Sequence, residues 1–314
     1  MRIVPMRFIP TYCRLPLMVL ASVLALSACD DKSRPAYALT SNNTIIKFET
    51  GTPKTIESEV ALTGLGTGES LLQIDFRPAN QVLYGLVQGA APSTGSTTAP
   101  SQQLYYVATV DPDTGAVAKV DTTGFAPPSP GNSTLQPPVV MDINPVGDYL
   151  RVIDNPGSAT STTVNNLEVA PSANSDGTVT VTSDGNTLYF NSNDVNAGEK
   201  PELVAIAHSN SVSGATTTTL YGLELTTQSL VRITTSGQLY TIAALGHGFV
   251  ADAGFDIVPD GDQAFIAVNS SGENANLYTL NLTDGTVGNV DQIGGGYQIV
   301  SLAVTLPDPK DSNN

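Results

Sequence analysis

A short motif that recurs along the chain constrains its fold more than any other feature. It reads Gln73-Ile74-Asp75-Phe76-Arg77-Pro78, then Met141-Asp142-Ile143-Asn144-Pro145, then Phe255-Asp256-Ile257-Val258-Pro259. A second apolar run follows each copy, at residues 82–86, 149–153 and 263–268. A weaker copy at 203–207 precedes another such run at 220–223, and a last copy at 299–304 stands near the end of the chain. Self-similarity of this kind marks one supersecondary unit stacked several times, since a single unit cannot bury its own apolar face.

The unit is made of strands. No window keeps apolar residues at i, i+3, i+4 and i+7 over three turns, whereas short alternating or apolar runs abound. They are separated by turn signals such as Asp113-Thr114-Gly115, Asp176-Gly177, Asp184-Gly185, Asp260-Gly261 and Asp284-Gly285. Two further strands are predicted after the first copy, at 104–110 and 116–120, and two after the Asp256 copy, at 277–282 and 287–293. Four antiparallel strands per repeat of roughly 45–65 residues is the unit of a β-propeller blade.

The two ends of the chain complete one another. The last unit has a single strand, and three strands without an inner one precede the first motif, at 36–40, 44–49 and 56–62. A ring must join its first and last blades, because an open array leaves strand edges unpaired. The expectation is therefore an all-β, five-bladed β-propeller closed by strands from both termini. The gap between Val152 and Leu203 leaves room for a six-bladed propeller or an open solenoid instead. Insertions at 89–101 and 125–138, rich in Pro, Ser, Thr and Gly, read as exposed loops.

The N-terminus reads as an export signal. Arg2, Arg7 and Arg14 precede an apolar stretch at 15–26, and no acidic residue occurs before Asp30. That stretch has the length of a signal-peptide core and falls short of the ~18–20 residues that span a bilayer. Leu26-Ser27-Ala28-Cys29 follows and resembles a lipobox, which makes Cys29 the expected lipid attachment point. The expected organisation is a signal at 1–28, a lipidated tether at 29–35, one propeller domain at 36–307 and a disordered tail at 308–314. The predicted location is the bacterial cell envelope, lipid-anchored and facing the periplasm or the exterior.

Charge and cysteine content narrow the function. Cys13 leaves with the signal and Cys29 carries lipid, so no disulfide is expected. The formal charge is −16, and losing three arginines takes it to −19. With no basic cluster, such a surface repels phosphate backbones, and nucleic acid is excluded as a partner. The two histidines, His208 and His247, are far apart in sequence and read as structural or incidental. A zinc site or a Cys/His nucleophile needs a converging set of ligands or a base, which these residues do not suggest. No cofactor is expected. Calcium is a weak possibility at Asp111-Pro112-Asp113, Asp260-Gly261-Asp262 and residues 191–199, where hairpin turns explain the same residues.

Asp75, Asp142 and Asp256 form the candidate channel site. In a common register all three stand on inner strands, which line a propeller's axis. Carboxylates gathered there could bind a cation or serve as the acid and base of a glycosidase. Alternatively, each accepts hydrogen bonds from backbone N–H groups in the turn before its proline.

Several segments together resemble domain-of-unknown-function family 4394, whose members are exported and propeller-like. They are Tyr37-Ala38-Leu39-Thr40, Gly68-Glu69-Ser70-Leu71 running into the Asp75 motif, and Leu83-Tyr84-Gly85-Leu86. Further on come Asp194-Val195-Asn196-Ala197-Gly198, Asn210-Ser211, residues 215–221 and Ala253-Gly254-Phe255-Asp256-Ile257. The resemblance runs from about Tyr37 to about Pro307. One departure is Asn166-Leu167-Glu168, where the family tends to show an arginine as the third residue. The resemblance implies fold and export but no activity. The functional expectation is a non-catalytic binding or interaction module whose partners are the membrane, through its lipid, and an unknown envelope protein or glycan. The alternative is a hydrolase acting on carbohydrate or another small molecule through the channel carboxylates.

Overall fold

The computed structural model describes residues 33–91, 103–127, 134–135, 137–155, 164–185, 187–246, 248, 252–259, 262–269 and 274–306. Cys29, His247, the signal and the predicted tail lie outside these. Blade I contains β4 (Ser70–Phe76), β5 (Leu83–Gln88), β6 (Tyr105–Val110) and β7 (Val117–Lys119). Blade II contains β8 (Val140–Asn144), β9 (Tyr149–Ile153), β10 (Asn166–Val169) and β11 (Val181–Ser183). Blade III contains β13 (Leu203–His208), β14 (Leu220–Glu224), β15 (Ser229–Ile233) and β16 (Gln238–Ala244), with β12 (Tyr189–Phe190) added in parallel to β16. Blade IV contains β17 (Ala253–Val258), β18 (Gln263–Val268), β19 (Asn276–Leu280) and β20 (Val287–Gln292).

Blade V is drawn from both ends of the described chain. Its order is β21 (Ile299–Val304), β1 (Pro35–Thr40), β2 (Thr44–Glu49) and β3 (Ile56–Ala61), and Ala38 of β1 pairs with Leu302 of β21. The fold is thus all-β, a five-bladed β-propeller. Inner strands adjoin in sequence around the ring: β4 with β8, β8 with β13, β13 with β17, β17 with β21, and β21 back with β4. The six-bladed alternative is overturned. Between Val152 and Leu203 the chain supplies β10 and β11 to blade II and β12 to blade III, which leaves no strands for another blade.

Strand periodicity explains the core. Successive side chains of a strand point to opposite faces, and in a propeller each face packs on a neighbouring blade. Tyr84 and Leu86 of β5 join the cluster shared with blade II, while Leu83 and Val87 join the one shared with blade V. Five such clusters lie between successive blades, one at each interface around the ring. Because both faces are covered, the inner and second strands read as nearly continuous apolar runs.

The second insertion departs from the expectation of an exposed loop. Its described residues Phe125 and Leu135 are buried between blades I and II, and Leu135 donates its N–H to the Tyr105 hydroxyl at 2.9 Å. Two apolar residues suffice to draw a Pro/Ser-rich segment onto the core, because their burial outweighs the composition around them. Among the described residues no helix is long and apolar enough to cross a membrane.

Candidate functional site

The register of the inner strands brings the three motif aspartates to one place. Asp75 pairs with Tyr84, Asp142 with Arg151 and Asp256 with Phe265, each opposite an equivalent residue of the second strand. By the same pairing Ala207, opposite Tyr221, and Ala303, opposite Tyr37, hold that position in blades III and V. The carboxylates of Asp75, Asp142 and Asp256 each present an oxygen within 4.8 Å of the others. Side chains that small and that close to the axis leave them buried, at 7%, 4% and 5% exposure.

Their partners are backbone groups of the next blade. Asp75 Oδ2 accepts from Ile143 N–H at 2.7 Å, Asp142 Oδ2 from His208 N–H at 2.9 Å, and Asp256 Oδ2 from Val304 N–H at 2.6 Å. The N–H groups of the turn before the proline, expected as partners from sequence, are not the principal ones. The side chain of an inner strand projects toward the neighbouring blade, so the N–H groups it meets belong to that blade. Where blade V meets blade I, Ser301 Oγ takes the same part, accepting from Ile74 N–H at 3.1 Å and donating to Ile74 C=O at 3.2 Å.

Burial and mutual repulsion raise the pKa values of these acids. Desolvation, then the neighbouring Asp142 and Asp256, push Asp75 well above the usual carboxylate range. Desolvation, then Asp256, does the same to Asp142, and desolvation raises Asp256 to about 7. With oxygens within 4.8 Å of one another, the three acids titrate as a coupled set rather than one by one.

His208, read from sequence as structural or incidental, lies beside this cluster rather than on the surface. It is 2% exposed, and its Nδ1 stands 2.5 Å from Asp142 Oδ2. Such a contact suggests a charged pair, yet desolvation, and then the Arg151 guanidinium, lower its pKa to about 3. The neutral ring accounts for every contact: Nδ1–H donates to Asp142, and Nε2 accepts from the Asn144 amide at 3.3 Å.

Sequence reasoning missed a second set of axial clamps. Asn155 donates to Leu203 C=O at 3.0 Å and accepts from Leu203 N–H at 2.9 Å, which fixes blade II to blade III. Asn269 does the same to Ile299 at 2.7 and 2.8 Å, fixing blade IV to blade V. The signal was present, since each asparagine stands just after the second strand of its repeat, but nothing local distinguishes a clamp from a turn residue.

The described oxygens of the turns weighed for calcium accept from the protein's own N–H and hydroxyl groups, within the turn or on a neighbouring segment. Asp111 Oδ1 accepts from the N–H groups of Asp113 and Thr114, at 3.0 and 3.1 Å. Asp194 accepts from Asn196 N–H and from both the N–H and the hydroxyl of Thr241, which pins that loop to β16. Of the third stretch, Asp262 is described, and it accepts from Asn210 N–H at 2.8 Å.

Polar residues also line two cavities, neither of which includes the three aspartates. One of about 420 Å³ is bordered by Ser209, Asn210, Thr217, Thr218, Pro259 and Asp262. The other, of about 220 Å³, opens between blades II and III and is bordered by Asn144, Arg151, His208, Thr218 and Arg232, among others.

Residues 44–303 match the model of a family described as a domain of unknown function, DUF4394. No curated protein sequence matches the chain. Among solved structures it is similar to the periplasmic gluconolactonase of Pseudomonas aeruginosa, at 12% identity and a TM-score of 0.38, over 87% of this chain and 99% of that one. It is similar also to a gluconolactonase of Xanthomonas campestris, at 14% identity and a TM-score of 0.37, over 74% and 68%. A protein of unknown function from Bacteroides caccae aligns at 12% identity and a TM-score of 0.38, over 82% and 72%.

Proposed function

The chain belongs to the DUF4394 family, and from that premise we propose that it is a lipid-anchored binding module of the bacterial cell envelope, with no chemistry at its axis. The observation that carries this reading is the use made of the three axial carboxylates. Each holds a backbone N–H of the next blade, and all three are buried. A glycosidase needs two carboxyl groups about 5–9.5 Å apart on either side of an accessible bond. Here the oxygens lie within 4.8 Å of one another, with no room for a sugar between them.

Anchoring rests on the N-terminal sequence: three arginines, a short apolar core and Leu26-Ser27-Ala28-Cys29. With a side-chain charge far below zero, attachment to an anionic membrane falls to the lipid rather than to a basic patch. Replacement of Cys29 by Ser is expected to abolish incorporation of a fatty-acid analogue and to release the protein from membranes. Equal labelling of wild type and variant would sink the anchoring half of the reading.

The binding half is tested by Asp142→Asn and Asp256→Asn. As structural groups they should alter thermal unfolding and leave ligand binding intact. The hydrolase alternative predicts the reverse: turnover of a glycoside or ester panel by the wild type, lost in the variants without loss of stability.

A further inference from the structure

The cavity between blades II and III is chemically unlike the rest of the molecule. The chain carries 29 acidic and 13 basic residues, yet this cavity is bordered by two arginines and no carboxylate. Resting on the binding-module reading, we propose that it is the ligand site, and that its ligand is a small hydroxylated anion such as a sugar acid or a sugar phosphate.

Arg232 supplies the anion contact. It projects from β15, is exposed, and stacks on the Tyr240 ring at 4.5 Å. Among the described residues it has no carboxylate partner. A stacked guanidinium is already oriented, so its planar fork meets a carboxylate or phosphate with little further loss of freedom. Arg151 forms the wall of the cavity. Its position is set by Asn166 at 3.0 Å, the Tyr149 hydroxyl at 2.7 Å and two carboxylates, Glu168 at 2.9 Å and Asp184 at 3.0 Å, and it is almost fully buried. Those two carboxylates take up its charge, so Arg232 alone is left to meet an anion, and the site suits a single anionic group rather than a polyanion.

The remaining border recognises hydroxyls. Thr218, Thr219, Thr234 and Thr235 stand around the cavity, and the Asn144 amide reaches its edge. His208 stands at the inner edge of the cavity, its Nε2 already taken by the Asn144 amide at 3.3 Å, and so closes the site rather than contacting the ligand. At about 220 Å³ the cavity holds roughly seven waters' worth of volume, enough for a monosaccharide-sized ligand. Leu220 and Ile233 add the apolar surface on which a sugar ring's C–H face can lie.

Isothermal titration of the purified protein with glucuronate, glucose and inorganic phosphate tests this. Glucuronate is expected to bind at least about tenfold more tightly than glucose, the difference being the carboxylate on Arg232. Arg232→Gln should remove that difference without moving the thermal midpoint, since the side chain is exposed. Thr218→Val should weaken glucuronate and leave phosphate unaffected. Phosphate binding that competes with glucuronate identifies the phosphorylated class as the source of the anion; glucuronate binding without it identifies the carboxylate class. Millimolar glucuronate and phosphate both failing to bind, or Arg232→Gln binding as well as wild type, would overturn the site. Failure of the binding-module reading looks different, as turnover of a substrate that Asp142→Asn abolishes.

Discussion

At Asp256 one oxygen accepts from Val304 N–H at 2.6 Å and the other from Ile257 N–H at 2.7 Å, yet burial raises the group to about 7. The folded state therefore favours the protonated acid. Its contribution to stability is complete below the unfolded value of 3.8 and is lost as pH rises through about 7. His208 acts in the opposite sense. Its pKa falls from 6.5 to about 3, so its contribution is present above 6.5 and lost as pH falls through about 3. Between 3.8 and 6.5 the two slopes oppose one another. Asp256→Asn keeps an oxygen for Val304, turns an NH2 toward Ile257 N–H at a constant cost, and removes the ionisation. Relative to wild type it is expected to gain stability from pH 4 to about pH 7 and to level off above that, read by urea unfolding at several pH values; a constant difference would show that Asp256 does not titrate in this window. Asp256→Ala leaves the Val304 N–H buried and unmatched, and is expected to cost about 1–3 kcal/mol at pH 5. That an aspartate recurs in this motif was legible in the sequence. Its partner was not, because Val304 lies 48 residues away and in a different blade.

At the scale of elements, the second strands carry the alternation that fills two interfaces at once, and the residues that follow them carry the clamps. Asn269 joins the end of β18 to the start of β21 through both backbone polar groups of one residue, the N–H and C=O of Ile299. Asn269→Ala is expected to lose about 1–3 kcal/mol with an unchanged denaturant m-value, since two buried backbone groups lose their partners while the surface exposed on unfolding stays the same. The hairpin between β6 and β7 gives a second test. Gly115 has φ +73°, and a Cβ there would stand 2.2 Å from Ala61 C=O of β3. Its own carbonyl accepts from Thr63 N–H at 2.9 Å, so this turn also joins blade I to blade V. Gly115→Ala is expected to cost about 1–3 kcal/mol from backbone strain alone, with thermal unfolding as the measurement. The Asp-Thr-Gly signal identified the turn; the docking of the turn on the neighbouring blade had no local signature.

For the whole molecule, closure is the property on which every interface depends. Blade V takes one strand from the end of the described chain and three from its beginning, and β21 contacts β4 of blade I as well as β17 of blade IV. Deleting residues 36–62 removes β1, β2 and β3 together and uncovers the clusters on both sides of blade V. The expected outcome is loss of the cooperative thermal transition rather than a trimmed, stable remainder. A truncated chain that melts cooperatively near the full-length midpoint would refute the dependence on closure.

By itself the sequence determined the strands, the repeat and the joining of the two ends, because these follow from period-2 patterning and from counting strands per unit, whereas the choice of five blades over six needed the assignment of β10, β11 and β12 to blades II and III. The strands predicted at 36–40, 44–49 and 104–110 differ from the observed ones by a single residue at one end or not at all. The packing of Phe125 and Leu135 onto the core, the Asn155 and Asn269 clamps and the cavity beside Arg232 were decided only by tertiary structure. In each case the partner lies on another blade or across a long insertion, and whether a polar side chain meets a backbone N–H, a carboxylate or open space depends on the twist and stacking of whole sheets. The same distinction separates the two histidine readings: sequence supplied a lone His208 after an inner strand, and the ring closed Asp142 against it.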